Sequence, residues 1–346
     1  MSVSRAAVLR AYDEPITLEE RPVPEPGPGQ VRVRVKACGV CGSDAFLAAG
    51  GFGSRLPVVP GHEASGAVEA VGGGVDELTE GQPVAIHYLQ TCGNCRWCAV
   101  GRENICERVQ RMGVDVDGAW ADHVVVPAAN ALPAPRSLAP VEVAVLTDAV
   151  GTAYHALTAV ADVQAGERVV VMGVGGVGSN AVQLAVWLGA EVVAISRSPG
   201  ALALAERMGA VATVTAGDGA AANVRATFDG NGPDVVVQTA GSAEADGAAV
   251  NLVGNGGRVV LVGATSERFS LRAVDLIWRE AAVLGSRGFT AEDIRAVLRL
   301  REQGAIETSH LTNHVRELPA VSSALDDLAD PEVLRPVLAP GDPWHW

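Results

Sequence analysis

Four of the chain's six cysteines fall within "TCGNCRWCAVGRENIC" (91–106), as Cys92, Cys95, Cys98 and Cys106, with the spacing C-x2-C-x2-C-x7-C. Thiols this close could form a disulfide staple, a redox pair, an iron–sulfur cradle or a zinc site. A ferredoxin run puts its fourth cysteine three residues on and follows it with proline; here seven residues intervene and Glu107 follows. A thioredoxin-like pair uses one CxxC beside a strand. Four thiolates in a compact lobe fill the tetrahedral sphere of zinc and leave no open position, which predicts a structural site. Disulfides or free thiols are the alternative.

A second chemical signal is Gly173-Val174-Gly175-Gly176-Val177-Gly178, which ends the apolar run "RVVVMG" (168–173) and opens "SNAVQLAVWLGA". GxGxxG between a strand and a helix has a mechanism: a tight turn at Gly173, backbone approach to a pyrophosphate at Gly175, and close helix–strand packing at Gly178. The helix N-terminus then faces the phosphates. The next strand-like run ends in Ser196-Arg197-Ser198, with no Asp or Glu before Glu206. A carboxylate there would hold a ribose 2′-hydroxyl, whereas hydroxyls and a guanidinium suit a 2′-phosphate. NADP(H) is therefore favoured over NAD(H); the bland reading makes Arg197 a solvated surface residue.

These groups need two kinds of scaffold. The first 130 residues are β-rich, with alternating runs such as "VRVRVKA" (31–37) between Pro and Gly turns. From about 166 the chain alternates apolar runs with helix-length amphipathic stretches. The runs are "RVVVMG" (168–173), "EVVAIS" (191–196), "VATVT" (211–215), "DVVVQTAG" (234–241), "GRVVLVG" (257–263) and "AAVLGS" (281–286). That pattern predicts a parallel, doubly wound six-stranded Rossmann sheet in an α/β protein. A helical segment follows 290, and "VLRPVLAP" reads as a returning strand.

At 346 residues the chain has room for two domains. Its net charge of −14 argues against nucleic acid and anionic membranes, which bind clustered Lys and Arg. Glu142, Asp148 and glycines interrupt the longest apolar stretches, so no membrane span is predicted, and "MSVSRAAVLRAYDEP" does not read as a secretory leader. The expectation is a cytoplasmic protein whose partners are small molecules and copies of itself.

The ordered set "GVCGSD" (39–44), "PGHEASGAV" (60–68), the four-cysteine lobe, "TDAVGTAYHAL" (147–157) and "GVGGVG" (173–178) resembles the zinc-dependent alcohol dehydrogenases of the medium-chain dehydrogenase/reductase superfamily. The resemblance covers essentially the full length. It implies a GroES-like β-rich catalytic domain over 1–150 and 290–346, with a structural zinc lobe at 90–108, and a Rossmann domain over 151–289. It implies two Zn2+ per chain, one of them catalytic on Cys41, His62 and Asp148, where many members have a third ligand Cys. Glu63 would stand behind the metal, Asp44 would orient the imidazole, and Ser43 would be the first proton-relay hydroxyl. Phe46 stands where many members carry a relay His. Cys38 reads as a buried thiol. Thr152 would lie close to the nicotinamide, Gly263 in the cofactor site, and Arg335 at the pyrophosphate. Phe46, Leu47, Phe52, Tyr88, Leu89, Val109 and Met112 are candidate pocket lining or core. The implied activity is hydride transfer between NADP(H) and an alcohol, aldehyde or ketone, in a homodimer or homotetramer. Reduction of a conjugated C=C is the alternative, and a non-catalytic zinc- or nucleotide-binding protein the second.

Overall fold

A computed structural model describes residues 3–346. The chain divides into two compact units, one made of the segment up to Asp148 with Phe289–Trp346, the other of Ala149–Gly288.

In the first unit, β1 (Val3–Val8) pairs antiparallel with β2 (Thr17–Pro22). β3 (Gln30–Gly39) follows period two: Val31, Val33 and Val35 point into the core at 0–2% exposure, while arginines alternate outward. Next come α1 (Gly42–Ala48), β4 (Glu63–Val71), β5 (Pro83–Ile86), the short pair β6 (Leu89–Gln90) and β7 (Gln110–Arg111), β8 (His123–Pro127) and β9 (Ala131–Pro133). α2 (Pro140–Val145) opens on proline, with Glu142 accepting from the Ala139 amide at 3.0 Å.

The helical path continues through a π-helical segment at Leu146–Val150, α3 (Gly151–His155) and a second π-helical segment at Ala156–Val160. This corrects one expectation. Pro140–Val160 is 21 residues long and, by length and composition alone, long and apolar enough to cross a membrane. Glu142 and Asp148 do not break it, because Glu142 caps the start and Asp148 is turned inward. Its most apolar stretch is 78% buried inside the protein.

The second unit runs β10 (Arg168–Met172), α4 (Gly176–Trp187), β11 (Glu191–Ser196), α5 (Pro199–Arg207), β12 (Ala212–Thr215), α6 (Ala220–Thr227), β13 (Val235–Gln238), α7 (Ala243–Leu252), β14 (Arg258–Leu261), α8 (Ala273–Arg279) and β15 (Ala282–Gly285). All six strands are parallel, in the order β12-β11-β10-β13-β14-β15. This is the doubly wound Rossmann order, reversing direction between β10 and β13. Val169–Val171 and Val235–Val237 have no exposed surface, as a sheet covered on both faces requires. The six apolar runs each form a strand, trimmed where the backbone turns: β13 stops at Gln238, short of Gly241 with φ 65°.

The chain returns to the first unit through α9 (Ala291–Glu302), β16 (Val315–Glu317), α10 (Val321–Asp326) and β17 (Val337–Ala339). β17 supplies the strand expected at "VLRPVLAP". The unit's main sheet has the order β16-β17-β3-β4-β5-β9, with β8 also on β3. β17 pairs with β3 at Cys38 and Gly39, and Gly39 faces Glu63 of β4. That register brings Cys41 just past β3, His62 just before β4 and Arg335 just before β17 to the same end of three neighbouring strands.

Candidate active site

Cys41 lies two residues past β3, at the N-cap of α1, with extended backbone (φ −110°, ψ 158°). The helix-capping residue Asp44 has two tasks. Its Oδ2 accepts from the Cys41 amide at 2.8 Å, and its Oδ1 lies 3.1 Å from His62 Nδ1. One carboxylate thus fixes both the loop that carries the thiol and the plane of the imidazole. His62 Nε2 is turned to Asp148, 3.8 Å from its Oδ2. One donor atom from each of Cys41, His62 and Asp148 lies within 4.8 Å of the others. His62 and Asp148 are buried, at 4% and 8% exposure. Asp148 belongs to the π-helical segment, whose wider turn sets its direction.

Electrostatics couples the cluster. Burial opposes a charged His62, but Asp44, Cys41 and Asp148 overcome it and hold the imidazole well above its usual value. Burial also opposes the Cys41 thiolate; Arg335 and His62 outweigh it, against Asp148, and hold the thiol below its usual value. Cys38 is different: buried at 0% exposure, its thiol is pushed well above the usual range by desolvation. A thiolate, an imidazole and a carboxylate on three sides, with the imidazole held from behind by a carboxylate, is a donor set that fits zinc with one position left open.

Ser43 Oγ lies 3.2 Å from Cys41 Sγ. Phe46, three residues on, packs edge-on against Phe52 with centroids 4.9 Å apart, and offers no group that could pass a proton. Arg335 is buried at 3% exposure and sits with Nη1 3.4 Å from Glu63 Oε2 and 3.6 Å from Asp148 Oδ2. Its guanidinium balances the two acids beside the cluster, a role that the sequence reading at the pyrophosphate does not contain. Of the candidate pocket residues, Leu47, Leu89 and Met112 have no exposed surface and are core, while Phe46, Phe52, Tyr88 and Val109 are half-buried. Leu47 is on the inward face of α1, and Met112 is locked by its amide donating to the Tyr88 carbonyl at 2.9 Å.

Sequence reasoning misses two features here. Gly39 must be glycine because a Cβ would run into the Glu63 carboxylate, a consequence of strand register that no local pattern reveals. The ring of Tyr88 packs 5.5 Å from that of His62, and Phe289 packs tilted against Tyr88 at 5.4 Å and against His87 at 5.6 Å. His87 Nε2 lies 3.2 Å from the Phe289 carbonyl. The adjacent His–Tyr pair is the only local hint of this aromatic wall.

In the four-cysteine lobe, the Sγ atoms of Cys92, Cys95, Cys98 and Cys106 approach one another at 3.4, 3.5, 3.9 and 4.0 Å. Tetrahedral zinc with Zn–S of about 2.3 Å needs sulfurs about 3.8 Å apart, so the lobe fits the ion. The Arg108 guanidinium beside Cys92 brings that thiol down to about 5, and the Cys92 and Arg108 amides both point at Cys106 Sγ at 3.4 Å.

In the second unit the glycine run is a strand-to-helix turn. Gly173 has φ 92°, Gly175 caps α4 with open space beside it, Gly176 and Val177 begin the helix, and a Cβ on Gly178 would strike the Gly173 carbonyl. Ser196 ends β11, Arg197 is exposed, and Ser198 caps α5 by accepting from the Ala201 amide at 3.3 Å. Gly263 packs against Gly241, with a Cβ there reaching Gly241 Cα at 2.8 Å. Thr152 is buried in α3 at 9% exposure.

Family comparisons agree with both halves. Residues 27–136 match the alcohol dehydrogenase GroES-like domain, and residues 176–303 match the zinc-binding dehydrogenase domain. An NAD-dependent alcohol dehydrogenase of Sulfurisphaera tokodaii is 30% identical over 349 residues, covering 97% of this chain and 100% of that protein. The chain belongs to the zinc-type alcohol dehydrogenase family. An alcohol dehydrogenase of Geobacillus stearothermophilus is 38% identical over 209 residues, a match spanning 60% of this chain and 62% of that relative. Among solved structures, a Sinorhizobium meliloti protein bound to NADP superposes with a TM-score of 0.90 at 32% identity, covering 98% of this chain and all of that one. In this chain the three-donor cluster includes Asp148, and the aromatic Phe46 stands three residues past Ser43.

Proposed function

We propose that this chain is a zinc-dependent alcohol dehydrogenase or carbonyl reductase that moves hydride between NADP(H) and an alcohol, aldehyde or ketone. The observation that carries the reading is the convergence of Cys41, His62 and Asp148 donors within 4.8 Å, beside the Ser43 hydroxyl. When bound, zinc supplies Lewis acidity toward the substrate oxygen and the nicotinamide carries the hydride. Cys41, His62 and Asp148 would hold the catalytic ion, and Cys92, Cys95, Cys98 and Cys106 a structural one. Asp44 keeps the His62 ring oriented, and Arg335 with Glu63 balances charge behind the cluster. Ser43 is the hydroxyl placed to exchange the substrate proton. Phe46 has no group that could take the proton from Ser43, so no side chain at that position extends the relay.

The unit formed by 3–148 and 289–346 acts as the catalytic domain, and Ala149–Gly288 as the dinucleotide domain. There Gly173, Gly175, Gly176, Val177, Gly178 and Gly263 would approach the dinucleotide, Thr152 its nicotinamide, and Ser196 with Arg197 the 2′-phosphate. The edge strand β15 and the exposed Ile277 and Trp278 of α8, at 69% and 80%, support a homodimer or homotetramer. With Cys41, Cys92, Cys95, Cys98 and Cys106 assigned to metal, the cysteines serve no disulfide framework, which suits a reducing, cytoplasmic setting.

The test is NADPH oxidation against a panel of aldehydes and ketones, with an enal in parallel, on the parent and on His62→Ala. The reading requires turnover with a saturated carbonyl that His62→Ala abolishes while NADPH still binds. Turnover confined to the enal would favour C=C reduction, which the missing relay group at Phe46 makes the second reading. Turnover with neither would make the chain a non-catalytic binding protein.

A further inference from the structure

The glycine-rich turn is supported by a second turn. Thr239, just past β13, donates its hydroxyl to the Gly173 carbonyl at 2.7 Å and its amide to the Met172 carbonyl at 2.8 Å. The Ala240 amide lies 2.8 Å from where a Gly173 Cβ would stand, and the Thr239 hydroxyl 2.7 Å from where a Gly178 Cβ would stand. Gly241 takes φ 65° and packs directly on Gly263. Residues 239–241 therefore touch Gly173, Gly178 and Gly263, three positions of the proposed cofactor site.

Below this turn lies a buried polar pair. Gln238 ends β13 with no exposed surface, and Asp246, in the first turns of α7, is 4% exposed. The Gln238 carboxamide nitrogen donates to Asp246 Oδ1, and its oxygen accepts from the Gly241 amide at 3.3 Å. The Gln238 backbone carbonyl accepts from the amides of Val262 at 2.9 Å and Gly263 at 3.1 Å. Burial pushes the Asp246 carboxyl above its usual value. An acid in such a place costs stability relative to a well-packed apolar residue, so what it contributes is specification of geometry. A carboxamide has two ends, and an acceptor at Asp246 decides which end meets Gly241.

We infer that Asp246, acting through Gln238, is a positioning residue for the dinucleotide site: it fixes the Gln238 carboxamide so that the 239–241 turn seats Gly173 and Gly263 against the cofactor. The inference rests on the cofactor reading proposed above. Thr239 is the second tie in the same device. Both side chains act on backbone: Thr239 holds the Gly173 carbonyl, and Asp246 holds the Gln238 carboxamide that accepts from the Gly241 amide.

The experiment is fluorescence titration of the zinc-replete protein with NADPH, with thermal midpoints recorded on the same samples. Asp246→Ala and Thr239→Val should each weaken NADPH binding about tenfold, the loss of one well-placed hydrogen bond. Asp246→Asn, which still presents an acceptor, and Thr239→Ser, which keeps the hydroxyl, should bind as the parent does. At saturating NADPH, KM for the carbonyl substrate should be unchanged in all four. If Asp246→Ala folds poorly, Thr239→Val and the Asp246→Asn rescue still decide the matter. Folded Asp246→Ala and Thr239→Val proteins with parental affinity, with or without a lower midpoint, would overturn the inference. A parent that binds neither NADPH nor NADH would instead sink the cofactor reading and this inference with it.

Discussion

Arg197 is where a single side chain should decide between the two dinucleotides. It stands exposed between Ser196 and Ser198, at the end of the second Rossmann strand. A guanidinium there forms an ion-paired hydrogen bond with a 2′-phosphate, and only a weaker bond to the neutral oxygen of a 2′-hydroxyl. Arg197→Asp is therefore expected to shift the NADPH to NADH preference in kcat/KM by about ten- to a hundredfold toward NADH, as loss of one such bond implies. An unchanged ratio would leave Arg197 a solvated surface residue. At this scale the sequence is legible where chemistry is local. "GVCGSD" holds a thiol, a hydroxyl and the acid that caps and orients, all within one turn of helix. It is not legible where contacts cross the sheet. Gly39 under Glu63 depends on β3–β4 register, and Arg335 against Asp148 depends on where a distant strand returns.

At the scale of elements, the four-cysteine lobe has little apolar core of its own; Val100 is 67% exposed and Trp97 carries Arg96 and Arg102 on its ring. On the proposed reading its order comes from the four thiolates and the ion they would hold. Cys106→Ser should lower the thermal midpoint by about 5–10 °C while changing NADPH affinity little, because metal binding is folding free energy there. A variant as stable as the parent would remove the structural site. In the other unit, β10 and β13 are tied by Arg168 and Asp234, with Nη2 2.6 Å from Oδ1 and the Arg168 amide 2.8 Å from Oδ2. The Arg168 guanidinium holds the Asp234 carboxyl below its usual value. A depressed folded value means the contribution is fully present above the unfolded value near pH 4 and is lost as pH falls through the folded one. Asp234→Asn should cost about 1 kcal/mol near neutral pH, and that difference should shrink below about pH 4. A difference constant from pH 7 to pH 3 would contradict it. The strands themselves are legible because buried parallel strands read as unbroken β-branched runs. The pocket is less so, since Leu47, Leu89 and Met112 look the same in sequence whether they face a substrate or the core.

Across the whole molecule, net charge is −14 and the described apolar surface gathers on α8, next to the edge strand β15. Fold class is readable at this level because apolar strands alternating with helices force right-handed crossovers and a parallel sheet covered on both faces. The length of the helical run at Pro140–Val160 is not, because the two acids within it look like breaks until their capping and inward placement are seen. The central claim, a catalytic zinc on Cys41, His62 and Asp148 beside a closed structural zinc, makes a whole-chain count the most direct test. Zinc per chain should be determined by elemental analysis on protein never exposed to chelator. The expected content is about two per chain, falling to about one when the 92–106 cysteines are replaced. About one per chain in the parent, lost entirely with those cysteines, would show that Cys41, His62 and Asp148 form no metal site.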